Sequence, residues 1–142
     1  MAYGSSGASA AHEEQRHNAP LSGKDTHFYY NGLEDGRLLV QKCDSCGALR
    51  NPPSPGCGQC SSMEWSAYEL TGTGTIFSHT VHYHPPLPNF PVPHPVALAE
   101  FEGMRILGAM DGTDPAELAI GKPVTIEFLR RGDVAGFRFK LA

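Results

Sequence analysis

Residues 43–60 read CDSCGALRNPPSPGCGQC and hold all four cysteines of the chain, in two Cys-x-x-Cys pairs. A two-residue gap lets both sulfurs of a pair face one ion, so Cys43, Cys46, Cys57 and Cys60 fit a tetrahedral four-thiolate site. Gly47, directly after the first pair, permits the positive φ that turns backbone N–H groups toward sulfur. Ser61 holds the matching place after the second pair, which predicts a less regular second knuckle. Ten residues separate the pairs, fewer than the about 15–20 of the usual zinc ribbon, so the connecting loop must be tight. Pro52, Pro53 and Pro55 can stiffen it. Four thiolates leave no open coordination position, which marks a structural zinc rather than a catalytic one. Iron, disulfides or free thiols are the competing readings.

Upstream, residues 1–24 are rich in Gly, Ser and Ala without periodicity and read as disordered linker or tag. Residues 25–36, DTHFYYNGLEDG, predict a short helix capped by Asp25 or Thr26. Phe28, Tyr29 and Leu33 form its apolar stripe and Gly36 its stop. RLLVQKC then predicts a strand running into the first cysteine pair, and MEWSAYELTG a second one after the last pair.

From Gly74 the texture changes. In TIFSHTVHY, alternation puts Phe77, His79, Val81 and Tyr83 on one face and Ile76, Ser78, Thr80 and His82 on the other. HPPLPNFPVPHP is a proline-rich loop. VALAEFE and MRILGAM read as a hairpin turning at Glu102-Gly103. In DPAEL, Asp114 as N-cap, Pro115 and Glu117 mark a helix start. GKPVTIEFL and VAGFRFK complete five strands, the last with Phe137 and Phe139 opposite Arg138 and Lys140. Three strands, a short helix and two more strands is the order of an OB-fold barrel. Five strands with one helix cannot form a parallel sheet, because parallel pairs need long crossovers. The expected organisation is a linker (1–24), a helix and zinc ribbon (25–70) and a mainly β, five-stranded OB-fold barrel (71–142).

The formal net charge is −4 and the pI about 5.9, a poor match to non-specific nucleic-acid binding, which needs many Lys and Arg contacts to phosphate. No apolar run approaches the ~20 residues of a membrane helix. The N-terminus has no basic stretch followed by an apolar one. A cytoplasmic, reducing compartment is expected, where paired thiols more often mean metal than disulfide.

In order along the chain, GLEDGRLLVQKCDSCGALRNPP, CGQC, GTGTIFSHTVHY and a barrel closing on GFRFK resemble a family catalogued as domain of unknown function thirty-five. The resemblance covers about residues 25–141. It implies a rubredoxin-like zinc ribbon followed by an acyl-CoA-associated OB-fold, accessory to thiolase-superfamily enzymes such as thiolases and lipid-transfer-protein-like aldolases. Such domains bridge subunits or shape the acyl-CoA site, and some are fused behind a hot-dog-fold hydratase in bacterial steroid or fatty-acid side-chain degradation. One departure is Gly58, where the family often has proline after the third cysteine; the knuckle is then more flexible.

Three further groups of residues could carry function. Arg130, Arg131, Arg138 and Lys140 could meet CoA phosphates, because guanidinium forks match phosphate geometry; Arg105 and Lys42 are weaker candidates. Tyr83, His84, Leu87, Phe90, Val92 and His94 could form a partner interface, because proline lowers the cost of ordering such a loop and an aromatic can anchor a pocket. His79, His82, His84 and His94 raise an acid–base or metal site, which strand parity opposes by placing His79 and His82 on opposite faces. The readings that follow are a non-catalytic acyl-CoA-associated subunit of a thiolase-like aldolase or thiolase, a nucleic-acid-binding zinc-ribbon/OB module, and a metal-dependent hydrolase using the histidines.

Overall fold

The computed structural model describes residues 23–86 and 90–142. Among them lie helix α1 (His27–Glu34) and strands β1 (Leu38–Cys43), β2 (Leu49–Arg50), β3 (Trp65–Leu70), β4 (Thr73–His82), β5 (His94–Phe101), β6 (Met104–Ala109), β7 (Pro123–Arg131) and β8 (Val134–Leu141). The linker expected over 1–24 falls almost wholly outside the described residues, as does Leu87.

Helix α1 ends where Gly36 was expected to stop it. Gly36 adopts φ +69, and Arg37 N and Gly36 N donate to Gly32 O and Leu33 O at 2.8 and 3.1 Å. That pair of bonds is the Schellman ending, which satisfies two terminal carbonyls. The N-terminal expectation is corrected. Thr26 occupies the cap position but makes no side-chain cap bond; its hydroxyl donates to Gly23 O instead. Gly32, which weakens the helix locally, has a packing reason: a Cβ there would stand 2.9 Å from Leu39. Phe28 packs on Trp65 of β3, ring centroids 4.6 Å apart.

Strands β2, β1 and β3 form a three-stranded antiparallel sheet in that order. Leu38 and Val40 of β1 are fully buried, and so is Gln41. The buried amide is satisfied: Gln41 Oε1 accepts from Arg50 Nε and Ser54 N, both at 2.8 Å. It thereby ties the proline loop to the sheet.

The remaining strands close into a barrel of order β4-β5-β6-β8-β7, with β4 pairing back to β7. This is the OB-fold expected from the strand order. The β5–β6 turn is Glu102-Gly103, both with positive φ, the backbone a two-residue hairpin demands. Ala97, Ala99 and Phe101 of β5 face inward with Ile106 of β6, Val124 of β7 and Phe139 of β8. Between β6 and β7 the expected helix is a single 3₁₀ turn, Pro115–Glu117, whose N-cap Asp114 accepts from Ala116 N at 3.0 Å.

The alternation expected for β4 fails at one residue. Ile76 pairs with Ala99 and Ser78 with Leu98, leaving Phe77 as a bulge. The bulge shifts the parity, so His79, opposite Ala97, shares a face with Ile76.

The two sheets meet at residues 71–72, yet one hydrophobic cluster runs through both. Leu33 of α1 and Leu38, Val40 and Leu70 of the ribbon sheet join Ile76, Phe101, Met104 and Phe139 of the barrel. A polar tie adds to it: Tyr68 of β3 donates to Glu102 Oε1 at 2.8 Å.

Candidate metal centre and barrel face

The ribbon brings the four cysteine sulfurs within 4.8 Å of one another. Cys43 and Cys60 sulfurs are 3.5 Å apart, and Cys46 and Cys57 sulfurs 3.6 Å. With zinc–sulfur bonds of about 2.3 Å, the edge of a tetrahedral site is about 3.8 Å, so the donor set fits one zinc. The same separations are too long for a disulfide, whose sulfurs lie about 2.05 Å apart.

Both knuckles have the same backbone. Gly47 N donates to Cys43 O and Cys43 N to Ala48 O, each at 2.9 Å. Ser61 N donates to Cys57 O and Cys57 N to Ser62 O, again at 2.9 Å. The second knuckle was expected to be less regular; it is the counterpart of the first, with Ser61 at φ +65 where Gly47 has +77. In this left-handed conformation the Ser61 N–H reaches Cys57 O and the turn closes. Backbone amides also favour thiolate. The Cys43 pKa is lowered to about 6, chiefly by the Cys46 backbone N–H, and that of Cys57 is lowered chiefly by the Cys60 N–H, whereas the neighbouring sulfurs push Cys46 and Cys60 up, so without an ion the four share their protons unequally. Cys43 and Cys57 are buried while Cys46 and Cys60 are exposed, so one edge of the centre packs inward and the other borders solvent.

Of the basic residues of the last hairpin, Arg131, Arg138 and Lys140 are linked through Asp111 and Glu127, and Arg130 pairs elsewhere. Arg130 pairs with Glu34 of α1 at 2.8 Å. Arg131 and Arg138 converge on Asp111, at 2.7 and 3.7 Å. Arg138 and Lys140 flank Glu127, at 3.1 and 3.7 Å. Asp111 carried no sequence signal, because its partners lie 20 and 27 residues further along the chain.

The histidines disperse. His82 and His94 are cross-strand partners on β4 and β5, and the His82 ring bonds Pro85 O at 2.7 Å. His79 lies on the other face, and His79 and His84 are exposed. Among the described residues the four cysteines are the group able to hold a metal; no histidine joins them. Of the interface candidates, Tyr83 is 65% exposed and Val92 exposed, whereas His94 is buried. Phe90 is half-buried, its ring 4.9 Å from the His94 ring and 5.2 Å from the Arg131 guanidinium.

A closed four-thiolate ribbon seated on an OB-fold barrel defines a two-part zinc-ribbon/OB protein. Residues 31–66 match the family described as ChsH2, rubredoxin-like zinc ribbon domain, and residues 67–129 that described as ChsH2, C-terminal OB-fold domain. A solved structure titled Ltp2-ChsH2(DUF35) aldolase is similar at TM-score 0.79 and 35% identity, covering 86% of this chain and 98% of that one. The chain belongs to the ChsH2/DUF35 family. A DUF35 protein of unknown function from Sulfolobus solfataricus shares the fold at TM-score 0.62 and 18% identity, over 97% of this chain and 100% of that one.

Two curated relatives match over 111 residues, 78% of this chain. One is a probable enoyl-CoA hydratase alpha subunit of Thermomonospora curvata, 39% identical. The other is the 3-oxo-4,17-pregnadiene-20-carboxyl-CoA hydratase alpha subunit of Mycobacterium tuberculosis, 40% identical. The chain spans 35% of the length of each. No helix of the described residues is long and apolar enough to cross a membrane.

Proposed function

We propose that this chain is a non-catalytic, acyl-CoA-associated module that completes a thiolase-superfamily enzyme of the lipid-transfer-protein-like aldolase type. The observation that carries the reading is its likeness, over nearly the whole of the solved chain, to the partner of Ltp2 in an aldolase. The metal chemistry supports it: four thiolates fill a tetrahedral zinc, so the ion has no position for water or substrate. Zinc here supplies a brace that holds the ribbon's folding.

In this reading the base and acid of the retro-aldol carbon–carbon cleavage belong to the partner enzyme. This chain supplies a wall of the acyl-CoA site and a surface that stabilises the assembly. The relatives' names support a CoA thioester as the substrate class, and one of them a steroid acyl group. They also support a hydratase domain upstream in the natural chain. The compartment is cytoplasmic and reducing, which keeps the cysteines as thiolates.

The CoA phosphates fall to Arg138 and Lys140. These two share a strand face and both hold Glu127, so a phosphate takes the carboxylate's place. Arg130 and Arg131 are further contacts; Arg130 pairs with Glu34 and Arg131 with Asp111.

The test is reconstitution. The candidate aldolase is purified with and without this chain, and cleavage of a β-hydroxyacyl-CoA is followed. Turnover that depends on the chain supports the proposal. Unchanged turnover in its absence, or thioester conversion by the chain alone, overturns it.

A further inference from the structure

The four cysteines converge on one point but are not equivalent. Cys43 and Cys57 are 1% and 6% exposed, whereas Cys46 and Cys60 are exposed residues. The backbone makes the same division. The Cys43 sulfur accepts from the N–H groups of Cys46 and Ser45, and the Cys57 sulfur from those of Cys60 and Gln59, the Gln59 bond at 3.4 Å. Cys46 and Cys60 accept one such bond each, from Ala48 and Ser62. Each N–H bond draws charge from a thiolate and makes it a weaker nucleophile. The two sulfurs with fewer such bonds therefore sit on the two residues that solvent reaches.

Sulfur contacts also run across the knuckles. Cys60 lies 3.5 Å from Cys43, and Cys46 lies 3.6 Å from Cys57. Each exposed cysteine thus faces a buried one of the other pair, and closing that gap to a disulfide takes a movement of about 1.5 Å.

We infer that Cys46 and Cys60 form a peroxide-sensitive modification site, whose oxidation joins Cys60 to Cys43 or Cys46 to Cys57 and opens the metal centre. The oxidant is hydrogen peroxide or an organic hydroperoxide. An exposed thiolate attacks the terminal peroxide oxygen; the O–O bond breaks, a sulfenic acid forms and hydroxide or alkoxide leaves. The facing thiolate then attacks the sulfenic sulfur; the S–S bond forms, the S–O bond breaks and a hydroxide leaves. Two electrons pass from the two sulfurs to the peroxide, and the departing oxyanions take two protons from solvent. Two thiolates remain, too few to close a tetrahedral site, so the chain releases its zinc and the ribbon loses its brace. Leu38, Val40 and Leu70 of the braced sheet belong to the barrel's core cluster, so the loss is felt beyond the ribbon. This chemistry goes beyond the accessory-subunit reading and does not depend on it.

The test treats the zinc-loaded chain with hydrogen peroxide. In the first arm a limiting dose is given together with dimedone, which traps sulfenic acids. The adduct is expected on Cys46 and Cys60. Labelling chiefly on Cys43 or Cys57, or equally on all four, overturns the assignment of the reactive pair. In the second arm dimedone is left out, zinc release is followed with a chromogenic chelator, and disulfides are mapped by mass spectrometry without reduction. Arg50 is the one Lys or Arg between Cys46 and Cys57, so trypsin separates the two pairs unless a bond across the knuckles joins them. Joined peptides that fragment as Cys43–Cys60 or Cys46–Cys57 are expected, with about one zinc released per chain as the first disulfide forms and zinc binding restored by dithiothreitol. Bonds confined to Cys43–Cys46 and Cys57–Cys60, or joined peptides linked Cys43–Cys57 or Cys46–Cys60, overturn the predicted pairing. Zinc retained and thiols intact, at a dose that oxidises free glutathione, overturns the site itself.

Discussion

Gly108 of β6 and Phe139 of β8 occupy the space of one side chain. A Cβ at position 108 would stand 2.5 Å from the Phe139 ring, which is fully buried at the barrel centre. Gly74 has the same relation to Phe101, again at 2.5 Å. Two large rings fit a small barrel because two strands present bare backbone to them.

The Gly108→Ala variant therefore overpacks a closed core. Its stability should fall by about 1–3 kcal/mol, read as a lower denaturant midpoint with an unchanged slope. Gly58→Ala, where nothing lies within 4 Å and φ is not positive, should be within about 0.5 kcal/mol of the parent.

The matched knuckles set up an opposed pair of substitutions. Gly47 and Ser61 both hold positive φ, and the left-handed region costs an L-residue about 1–2 kcal/mol. Ser61→Gly should stabilise the zinc-loaded protein by about 1 kcal/mol, and Gly47→Ala should destabilise it by a similar amount. Urea titration of both variants checks the sign.

Metal removal should reach beyond the ribbon. One zinc per chain is expected by elemental analysis. Because Leu38, Val40 and Leu70 share a cluster with the barrel core, a strong chelator should lower amide protection in β4 and β6 as well as in β1. Protection lost in the ribbon alone would show two independent folding units.

Stability should fall in mild acid through His94. Burial lowers its pKa in the folded protein, so the unfolded chain binds the proton first. The contribution is complete above the unfolded value of about 6.5 and is lost as pH drops from there toward the folded pKa. His94→Phe should flatten the stability profile in that window, measured by thermal melts from pH 7.5 to 5.

Glu127 competes with any phosphate for Arg138 and Lys140. Glu127→Gln should tighten CoA binding several-fold and Lys140→Ala weaken it by a similar factor, by isothermal titration at low salt.

Local pattern made much of this protein readable. Cysteine spacing defined the metal centre, because a tetrahedral ion constrains residues only a few positions apart. Turn chemistry at Gly36, Gly47 and Glu102-Gly103, and the order of the strands, defined the ribbon and the barrel. What local pattern could not supply depends on partners far apart in sequence. The Phe77 bulge follows from pairing with β5, which transfers His79 to the other face. Asp111 gathers Arg131 and Arg138 from the last hairpin. His94 is buried under Phe90 rather than displayed. Each is a compromise between strands that meet only when the barrel closes, so only the tertiary structure could decide it.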